Sequence, residues 1–293
     1  MPAPAPVEVV STDDAAAAWH AAGPYLLADP VRHNRVLSLL DTMVDDPAGA
    51  AMQGARTWWA TPSAGTGPPT GVCLRTAADQ PVVIAADDRP TVFALVDAVA
   101  DGLARIPGIS GEAAASIAFA GTWASFRHVA AKMAVAQRFY RLDNLVPAPE
   151  PKGGGSLRPG TPADLSLLTH WAVAFQHDTF GPGVVDSESL ARFMARKIDY
   201  GLAWVWHTTE PVAMAAATPT AAGVSRIQHV YTPPRFRGRG YAASCVSAVA
   251  ADRLAAGAEQ CVLFTDLLNP TSNAVYQRLG FEPVSEHLEI DFV

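Results

Sequence analysis

The sequence has few cysteines, and they are not arranged in pairs. Cys73, Cys245 and Cys261 are the only three in 293 residues, and no two of them form a Cys-x-x-Cys motif. An odd, widely spaced set argues against a disulfide framework and against a zinc site built on cysteine pairs. The sequence therefore predicts reduced thiols, no structural metal and a cytoplasmic location.

The sequence also lacks an excess of positive charge. It has 21 Lys and Arg against 28 Asp and Glu, which gives a formal net charge of −7. Proteins that bind nucleic acid generally present a basic face, and none is evident here. Nucleic acid is therefore not expected as a partner. The acidic balance suits a cationic substrate, but it also suits ordinary solubility.

Long apolar runs are missing as well. No run reaches the length needed to span a membrane, and Met1 to Pro6 show neither the charged nor the apolar segment of a signal peptide. Hydrophobic residues make up 49% of the chain and charged residues 17%, which is typical of a folded globular protein. We expect a soluble intracellular protein without a membrane partner.

A stretch rich in proline and glycine divides the chain near residue 150. Residues 147–156 read Pro-Ala-Pro-Glu-Pro-Lys-Gly-Gly-Gly-Ser and show no apolar periodicity, which is typical of a linker. A chain of 293 residues is also long enough for two domains of ordinary size. We therefore predict an N-terminal domain at 1–146, a linker at 147–155 and a C-terminal domain at 156–293.

Apolar periodicity and capping residues predict the secondary structure of both halves. In the first half, helices are predicted at 12–22, 30–45, 91–103 and 112–127, strands at 82–85 and 134–143, and apolar segments are noted at 57–60 and 71–74. In the second half, strands are predicted at 156–158, 202–207, 212–217, 224–232, 260–266 and 282–293, and helices from 161 onward and at 187–198, 240–256 and 271–279. The order β-α-α-β-β-β-α-β-α-β indicates a mixed α/β fold, because strands and helices do not alternate regularly.

The loop before the helix at 240–256 is the most informative part of the second half. An apolar strand ends at two prolines, and a loop with arginines and glycines leads into the helix. The glycines allow the backbone close to a ligand, and the first-turn N–H groups of the helix point outward. Together with the helix dipole and the charges of Arg235, Arg237 and Arg239, they predict a site for a phosphate or pyrophosphate.

A dinucleotide is one ligand that fits a loop of this kind. Gly238, Gly240 and Ala243 satisfy the fingerprint Gly-x-Gly-x-x-Ala, and Asp266 ends the following strand. However, two prolines interrupt the path from the strand to the first glycine, and only about fifty residues follow the loop. A doubly wound sheet needs more βαβ units than that, so a nicotinamide or flavin cofactor is disfavoured.

A second motif follows about thirty residues after the first. Residues 269–281 read Asn-Pro-Thr-Ser-Asn-Ala-Val-Tyr-Gln-Arg-Leu-Gly-Phe. With the element order, the two motifs resemble the GNAT (GCN5-related N-acetyltransferase) acyltransferases over roughly 155–293. Arg237, Gly240 and Ala242 match that family's pyrophosphate signature, Gln/Arg-x-x-Gly-x-Gly/Ala. The resemblance implies a GNAT-type fold with a central mixed sheet.

The first half has a vaguely similar order of elements, and some GNAT proteins are tandem. Its matching strand-to-helix junction reads Ala86-Asp-Asp-Arg-Pro90 and contains no glycine. Two carboxylates at this place would repel a pyrophosphate. We therefore expect the first half to be a degenerate GNAT-like domain that does not bind coenzyme A (CoA).

The resemblance implies acetyl-CoA as co-substrate and no metal. The backbone amides of residues 238–243 would hold the pyrophosphate, and Val230–Thr232 would pair with the pantetheine arm and stabilise the oxyanion. The residues expected to bind CoA are Val230, Tyr231, Thr232, Arg235, Arg237, Gly238, Arg239, Gly240, Tyr241, Ala242, Ala243, Asn269, Ser272, Asn273 and Tyr276. The alternative for the arginines is a solvated loop, and the alternative for Asn269 is a helix cap.

Tyr276 matches the family's usual general acid, which protonates the departing CoA thiolate. A phenol with a pKa near 10 can donate to a thiolate of similar basicity, so the transfer is nearly isoenergetic. The alternative is that Tyr276 only packs on the last helix. The resemblance predicts a direct attack of the amine on the thioester, without a covalent enzyme intermediate. Cys245 and Cys261 are expected to be buried and therefore poor nucleophiles.

The general base cannot be assigned from the resemblance to the family. The positions where the family often has a glutamate are Arg226 and Phe264 in this chain, and neither can accept a proton. Asp266 shares strand parity with Phe264 and is the first candidate, followed by a path without an enzymic base. His229 is the third, because it points to the other face of its strand unless a bulge intervenes.

The sequence does not identify the acceptor beyond a small-molecule or peptide amine, and it does not predict the oligomeric state. His177, Asp178 and Phe180 lie where the family recognises substrates, although ordinary loop chemistry also explains them. We expect an acetyl-CoA-dependent N-acetyltransferase. Two other classes stay open, a CoA-binding protein without catalysis and an O-acyl or longer-chain acyltransferase.

Overall fold

A computed structural model describes residues 7–63, 67–181 and 185–293, with only the backbone of Phe180. Met1–Pro6, on which the expectation about a signal peptide depends, and the side chain of Phe180 lie outside the described residues. The chain forms two compact units, one of residues 1–137 and 285–293 and the other of residues 138–284. The predicted division into domains at 147–155 concerns independent folding and stays a prediction.

The first unit is a mixed α/β unit. Its elements in chain order are β1 (Val7–Thr12), α1 (Ala15–Ala28), α2 (Asn34–Asp45), α3 (Pro47–Met52), β2 (Arg56–Pro62), β3 (Gly71–Arg75), β4 (Val82–Ala86), α4 (Arg89–Gly102), β5 (Gly108–Glu112) and α5 (Ala113–Arg127). Strands β1 to β4 are antiparallel neighbours, and β4 and β5 are parallel. Strand β6 (Ala131–Leu142) begins in this unit and ends in the second.

The sequence does not predict β1 or β5. Strand β5 reads Gly-Ile-Ser-Gly-Glu, and two glycines in five residues disfavour a strand. A Cβ at Gly108 would lie 2.5 Å from the carbonyl oxygen of Ile290, and one at Gly111 would lie 2.5 Å from that of Ile84. The glycines are thus required because neighbouring backbones approach closely, and tertiary pairing overrides the local propensity.

The carboxylates after β4 are engaged within the first unit. Asp87 accepts hydrogen bonds from the hydroxyl of Tyr25 at 3.1 Å and from Arg32 at 3.4 Å. Arg32 also forms a two-point ion pair with Glu112, at 2.6 and 2.7 Å. Asp88 caps α4 by accepting from the N–H of Thr91 at 2.8 Å. At the matching position, a CoA site would present free backbone amides. In the first unit, the side chains at this junction are instead engaged with structural partners.

Replacing Asp87 or Asp88 by alanine is expected to leave the affinity for CoA unchanged. Asp88→Ala removes a helix cap and should lower the free energy of unfolding by about 1 kcal/mol. Calorimetric titration of CoA and chemical unfolding measure the two quantities on the same samples. A loss of CoA binding in either variant, without unfolding, would contradict the degenerate character of this half.

The second unit has the element order that the sequence predicts. Its elements are β7 (Ser156–Pro159), α6 (Leu165–Phe180), α7 (Ser187–Asp199), β8 (Ala203–His207), β9 (Pro211–Ala217), β10 (Val224–Tyr231), α8 (Tyr241–Ala255), β11 (Gln260–Asp266) and α9 (Pro270–Arg278). Strands β7 to β10 are antiparallel neighbours, and β10 and β11 are parallel. The last strand, β12 (Phe281–Phe292), begins in this unit and ends in the first, where it pairs antiparallel with β5.

Helix α8 packs its apolar face on the sheet of the second unit. Cys245, Val246, Val249 and Ala250 are fully buried, in one core with Trp204 and Trp206. The two tryptophans are thus core residues, as predicted. Burial of this kind contributes roughly 1.5–3 kcal/mol for each large aliphatic side chain.

All three cysteines are free thiols and fully buried. Burial raises the pKa of Cys245 to about 12 and that of Cys261 to about 11. Neither forms a thiolate at neutral pH, so neither is a ready nucleophile.

In the ranges that the structure describes, no group of three or more His, Cys, Asp or Glu side chains is placed to hold a metal ion. None of the helices described combines the length and hydropathy that a transmembrane helix requires.

The stretch 147–155 packs against α8 within the second unit. The N–H of Ala148 donates to the hydroxyl of Ser247 at 3.1 Å, and the N–H of Lys152 donates to the carbonyl of Arg239 at 2.9 Å. A Cβ at Gly155 would lie 2.7 Å from the carbonyl oxygen of His207. At this position, glycine reflects close approach to the neighbouring strand rather than flexibility.

Candidate active site

The parallel strands β10 and β11 part at one end of the second unit. Their pairing ends at Ile227 and Leu263, although β10 continues to Tyr231 and β11 to Asp266. On its other side, β10 shifts register against β9 between Gln228 and Tyr231. This β-bulge bends the strand away from its parallel neighbour. The two strands are thus no longer paired at the place where Val230–Thr232 are expected to bind the pantetheine arm.

The loop after β10 presents a row of free backbone donors. In the part of the chain that the structure describes, no group accepts a hydrogen bond from the N–H groups of residues 238–243. Gly238 and Gly240 have φ angles of +75° and +92°, a conformation that glycine adopts without strain. Successive amides at the N-terminus of a helix form an anion site, and the helix dipole adds to it.

The three arginines of this loop differ in their partners. Arg235 pairs with Glu210 at 2.8 Å, and Arg237 pairs with Asp178 and donates to the carbonyl of Thr232 at 2.9 Å. Arg239 stacks over Phe236, 6.0 Å from the ring centroid, and pairs with no carboxylate of the described residues. The charge of Arg239 is therefore the one least compensated by the protein.

The acceptor region predicted on α6 is connected to this loop. Asp178, in the last turn of α6, holds the guanidinium of Arg237. Both side chains are about half exposed, at 51% and 50%, and an ion pair of this kind contributes about 0–1 kcal/mol. A bound phosphate can therefore compete with Asp178 for Arg237. His177 accepts a hydrogen bond from the N–H of Gly181 through its carbonyl.

Tyr276 lies on α9 and is 8% exposed. Its ring contacts those of Tyr140 and Phe281, and its hydroxyl makes no hydrogen bond to the described residues. Burial raises the pKa of Tyr276 well above its ordinary value, with a smaller effect from Cys245. The phenol therefore stays protonated at neutral pH and is available as a proton donor. Its role as general acid stays a prediction.

The asparagines of the second motif have structural partners. Asn269 caps α9 by accepting from the N–H of Ser272 at 3.0 Å. The side-chain oxygen of Asn273 accepts from the hydroxyl of Tyr140 at 2.8 Å, and its amide nitrogen donates to the carbonyls of Asp266 and Asn269. Both N–H donors of the Asn273 side chain are therefore engaged, and its oxygen retains the capacity to accept one more hydrogen bond. The binding roles of Asn269, Ser272 and Asn273 stay predictions.

Asp266, the first candidate for the general base, ends β11. Its Oδ1 atom accepts from the N–H of Leu268 at 2.8 Å, which is the local turn bond that an aspartate at a strand end commonly makes. The role of Asp266 as base stays a prediction, and one of its carboxylate oxygens is occupied by the turn.

The bulge in β10 is centred on His229, which has a φ angle of +52°. Its imidazole contacts the rings of Phe175 and Phe193 at 5.2 and 4.8 Å between centroids. In a regular strand, the side chain of His229 would point to the face away from the cleft. Only a bulge could change the direction of this side chain. The structure contains this bulge, but the sequence offers no signal for its position.

Lys197 is a residue that the sequence analysis misses. It is 8% exposed, and its ammonium donates to the carbonyl of Ala217 at 2.7 Å and lies 5.2 Å from the ring centroid of Phe193. A signal exists in retrospect, because Lys197 continues the apolar stripe of α7 at helical spacing after Leu190, Phe193 and Met194. A lysine on the buried face of a helix requires a partner.

Comparison with known proteins places these features in context. Residues 200–289 match the family described as FR47-like protein. A GCN5-related N-acetyltransferase from Sphaerobacter thermophilus aligns with a TM-score of 0.61 at 16% identity, over 99% of this chain and 96% of that one. A GNAT-family acetyltransferase from Colwellia psychrerythraea aligns with a TM-score of 0.57 at 11% identity, over 97% and 98%. A Drosophila protein aligns with a TM-score of 0.67 at 12% identity, over 99% of both chains. Among curated proteins, none matches this sequence.

The chain therefore has the GNAT acetyltransferase fold over nearly its whole length, and the resemblance seen in the sequence is confirmed. The alignments include the first unit, so it shares in this similarity. The fold is that of acyltransferase enzymes. The FR47-like match contains β10, the loop 238–243 and Tyr276.

Proposed function

We propose that the protein is an acetyl-CoA-dependent N-acetyltransferase that acts on a small-molecule or peptide amine. The row of free N–H groups at residues 238–243, next to the parted ends of β10 and β11, carries the proposal. Such a row suits a pyrophosphate, and the parted strands offer backbone for a pantetheine arm. The buried free thiols fit a reducing compartment such as the cytoplasm.

The reaction is a direct transfer. The amine nitrogen attacks the thioester carbonyl, an N–C bond forms and the C–S bond breaks. A backbone N–H of Val230–Thr232 stabilises the negative charge on the carbonyl oxygen, and Tyr276 donates its proton to the departing sulfur. The amine loses a proton to a base or to solvent, and solvent restores the proton on Tyr276. No residue of the protein becomes acylated.

Calorimetric titration of acetyl-CoA tests the cofactor site. We expect the wild type to bind and Arg239→Gln to bind about 10-fold more weakly, because a charge-assisted hydrogen bond contributes about 1.5–3 kcal/mol and this loop is partly exposed. Arg235→Gln is the comparison. Glu210, at 2.8 Å, compensates part of the charge of Arg235, so a smaller effect is expected.

If acetyl-CoA did not bind to the wild type, the proposal would be rejected, and the loop would be interpreted as a solvated turn. Thiol release in the presence of an amine then separates catalysis from binding alone. Turnover that is unchanged when Tyr276 and Asp266 are both replaced would favour a CoA-binding protein without these catalytic groups. A preference for propionyl-CoA or succinyl-CoA would favour a longer-chain acyltransferase.

A further inference from the structure

His229 combines two unfavourable features, a left-handed backbone and an imidazole without hydrogen-bond partners in the described part of the chain, and a ligand could satisfy the second. Its backbone adopts the left-handed region, with φ at +52°, which is uncommon for residues other than glycine and clusters at functional sites. Both of its ring nitrogens are buried, and neither has a hydrogen-bond partner among the described residues. Buried polar atoms are nearly always hydrogen-bonded. An imidazole left in this state has the capacity to accept one hydrogen bond and donate another.

A further buried polar atom without a partner among the described residues lies three residues after His229 along the chain. The hydroxyl of Thr232 is also buried without a partner in the described part of the chain. His229 and Thr232 flank Val230 and Tyr231, the backbone segment next to the parted strands. A ligand with a hydrogen-bond donor that reached the imidazole would satisfy one of its ring nitrogens. The rings of Phe175 and Phe193 cover the imidazole from α6 and α7.

The charge around His229 is positive. Burial, Lys197 and Arg226 lower the pKa of His229 to about 4. Burial, Arg226 and Arg196 lower the pKa of Lys197 to about 8. No carboxylate contributes to either pKa, and the ammonium of Lys197 donates only to a carbonyl, that of Ala217, among the described residues. At pH 7 Lys197 is therefore a charged, nearly buried cation without an acidic partner.

A buried cation of this kind is suited to an anion supplied from outside the chain. We propose that His229 and Lys197 form the acceptor site, where the imidazole contacts the amine and the ammonium contacts a carboxylate on the same small molecule. The inference rests on the proposed function and names its substrate class, an amine that carries a carboxylate. Lys197 and His229 lie against the same phenyl ring, that of Phe193, so the ammonium and the imidazole are at most about 10 Å apart, a span that a small molecule can bridge.

The arrangement also makes His229 the proton acceptor of the reaction. The amine proton passes to an imidazole nitrogen as the N–C bond forms, while Tyr276 gives its proton to sulfur as the C–S bond breaks. His229 then releases its proton to solvent. In the free protein burial, together with the charges of Lys197 and Arg226, keeps His229 neutral and weakly basic. A carboxylate next to Lys197 offsets these charges and raises the pKa of His229, so the base becomes stronger when such an acceptor is bound.

Matched sets of amines test the substrate class. Glycine, phenylalanine, histidine and lysine are each compared with the corresponding amino-acid amide and decarboxylated amine. The amide has a less basic nitrogen than the acid and the decarboxylated amine a more basic one, so a preference for the acid over both reports the carboxylate. Thiol release from acetyl-CoA gives kcat/KM, and thermal shift of the CoA-loaded protein gives binding independently of turnover.

We expect the ratio of kcat/KM for an amino acid to that for each of its neutral counterparts to be 10 or more for at least one amino acid. Lys197→Met keeps the apolar stem but removes the charge, and it should reduce this ratio to near 1. Lys132→Met, at an exposed lysine of β6, should leave the ratio unchanged. A merely structural role of Lys197 would lower activity towards all three members of a set and leave the ratio intact, which would overturn the anionic subsite.

His229→Asn tests the proton acceptor. Asparagine tolerates the left-handed backbone but cannot take a proton. We expect kcat to fall by about 100-fold with the affinity for CoA retained, because a general base contributes about 10²- to 10⁴-fold. His20→Asn, at an exposed histidine of α1, is the control. An unchanged kcat in His229→Asn, or a larger loss in Asp266→Asn, would overturn the role of His229.

The outcomes separate this inference from the proposed function. Suppose that acetyl-CoA binds but the kcat/KM of every neutral amine equals or exceeds that of its amino acid, or that no amino acid gives turnover or a thermal shift. In either case the inference fails and the proposed function stands. If acetyl-CoA does not bind but an amino acid stabilises the wild type and not Lys197→Met, the anion site stands and the proposed function fails.

Discussion

Tyr276→Phe is expected to lower kcat by about 10²- to 10⁴-fold, the range that a positioned general acid contributes. Loss of the hydroxyl leaves the departing thiolate without a proton donor. The pKa of Tyr276 is raised above its ordinary value by burial, so the phenol is protonated at pH 7 and stays so as the pH rises towards 10. We therefore expect no loss of kcat from ionisation of Tyr276 over this interval. Thiol release at saturating acetyl-CoA measures the effect.

The variant should fold and bind CoA normally. The hydroxyl of Tyr276 makes no hydrogen bond to the described residues, so phenylalanine keeps the ring packing and removes no internal bond. Tyr200→Phe, at a tyrosine that is 70% exposed, is the control and should retain full activity. Turnover of Tyr276→Phe within a few-fold of the wild type would show that the thiolate departs without this acid.

Gly238→Asp is expected to weaken CoA binding by about 10- to 100-fold relative to Gly238→Asn. The position has φ at +75° and no atom within 4 Å of an added Cβ. Asn and Asp have the same shape, and both tolerate this backbone better than other residues. The comparison therefore isolates the charge. Two like charges 4 Å apart repel by about 4 kcal/mol at an effective dielectric constant near 20, and exposure of the loop reduces this to the expected range.

Calorimetry at two salt concentrations completes the test. The difference between the two variants should shrink at about 1 M salt, where the Debye length is about 3 Å. The control pair is Gly257→Asp and Gly257→Asn, since Gly257 follows the other end of α8 with φ at +97° and the same open surroundings. Gly240 is less suitable, because an added Cβ would lie 3.4 Å from Pro151. Equal affinities of the two Gly238 variants would mean that no phosphate binds at this loop.

The sequence was most informative where function depends on the backbone. The loop 238–243 could be predicted because glycines, a two-proline stop and the start of an amphipathic helix are local features. Free N–H groups at a helix N-terminus follow from helix geometry in any protein. The structure shows these donors without partners. The same local reasoning places Asn269 at the start of α9, where it is a cap.

The sequence was less informative where side chains meet across elements. The pairing of Arg237 with Asp178 joins residues 59 positions apart, and the cluster of His229, Phe175 and Phe193 joins a strand to two helices. The bulge that turns His229 depends on how β10 fits between β9 and β11. None of these has a local signal.

Tyr276 as the candidate acid came from the resemblance to the GNAT family. The sequence by itself determined the order of elements in the second half and the loop with its free amides. Each depends on short-range periodicity, capping or backbone geometry. Only the tertiary structure decided that β5 is a strand despite its glycines, that residues 147–155 pack on α8, and that Lys197 and His229 lie together against Phe193. These features depend on which backbones and side chains approach one another from distant parts of the chain, and the free energy of such contacts is not encoded in any one segment.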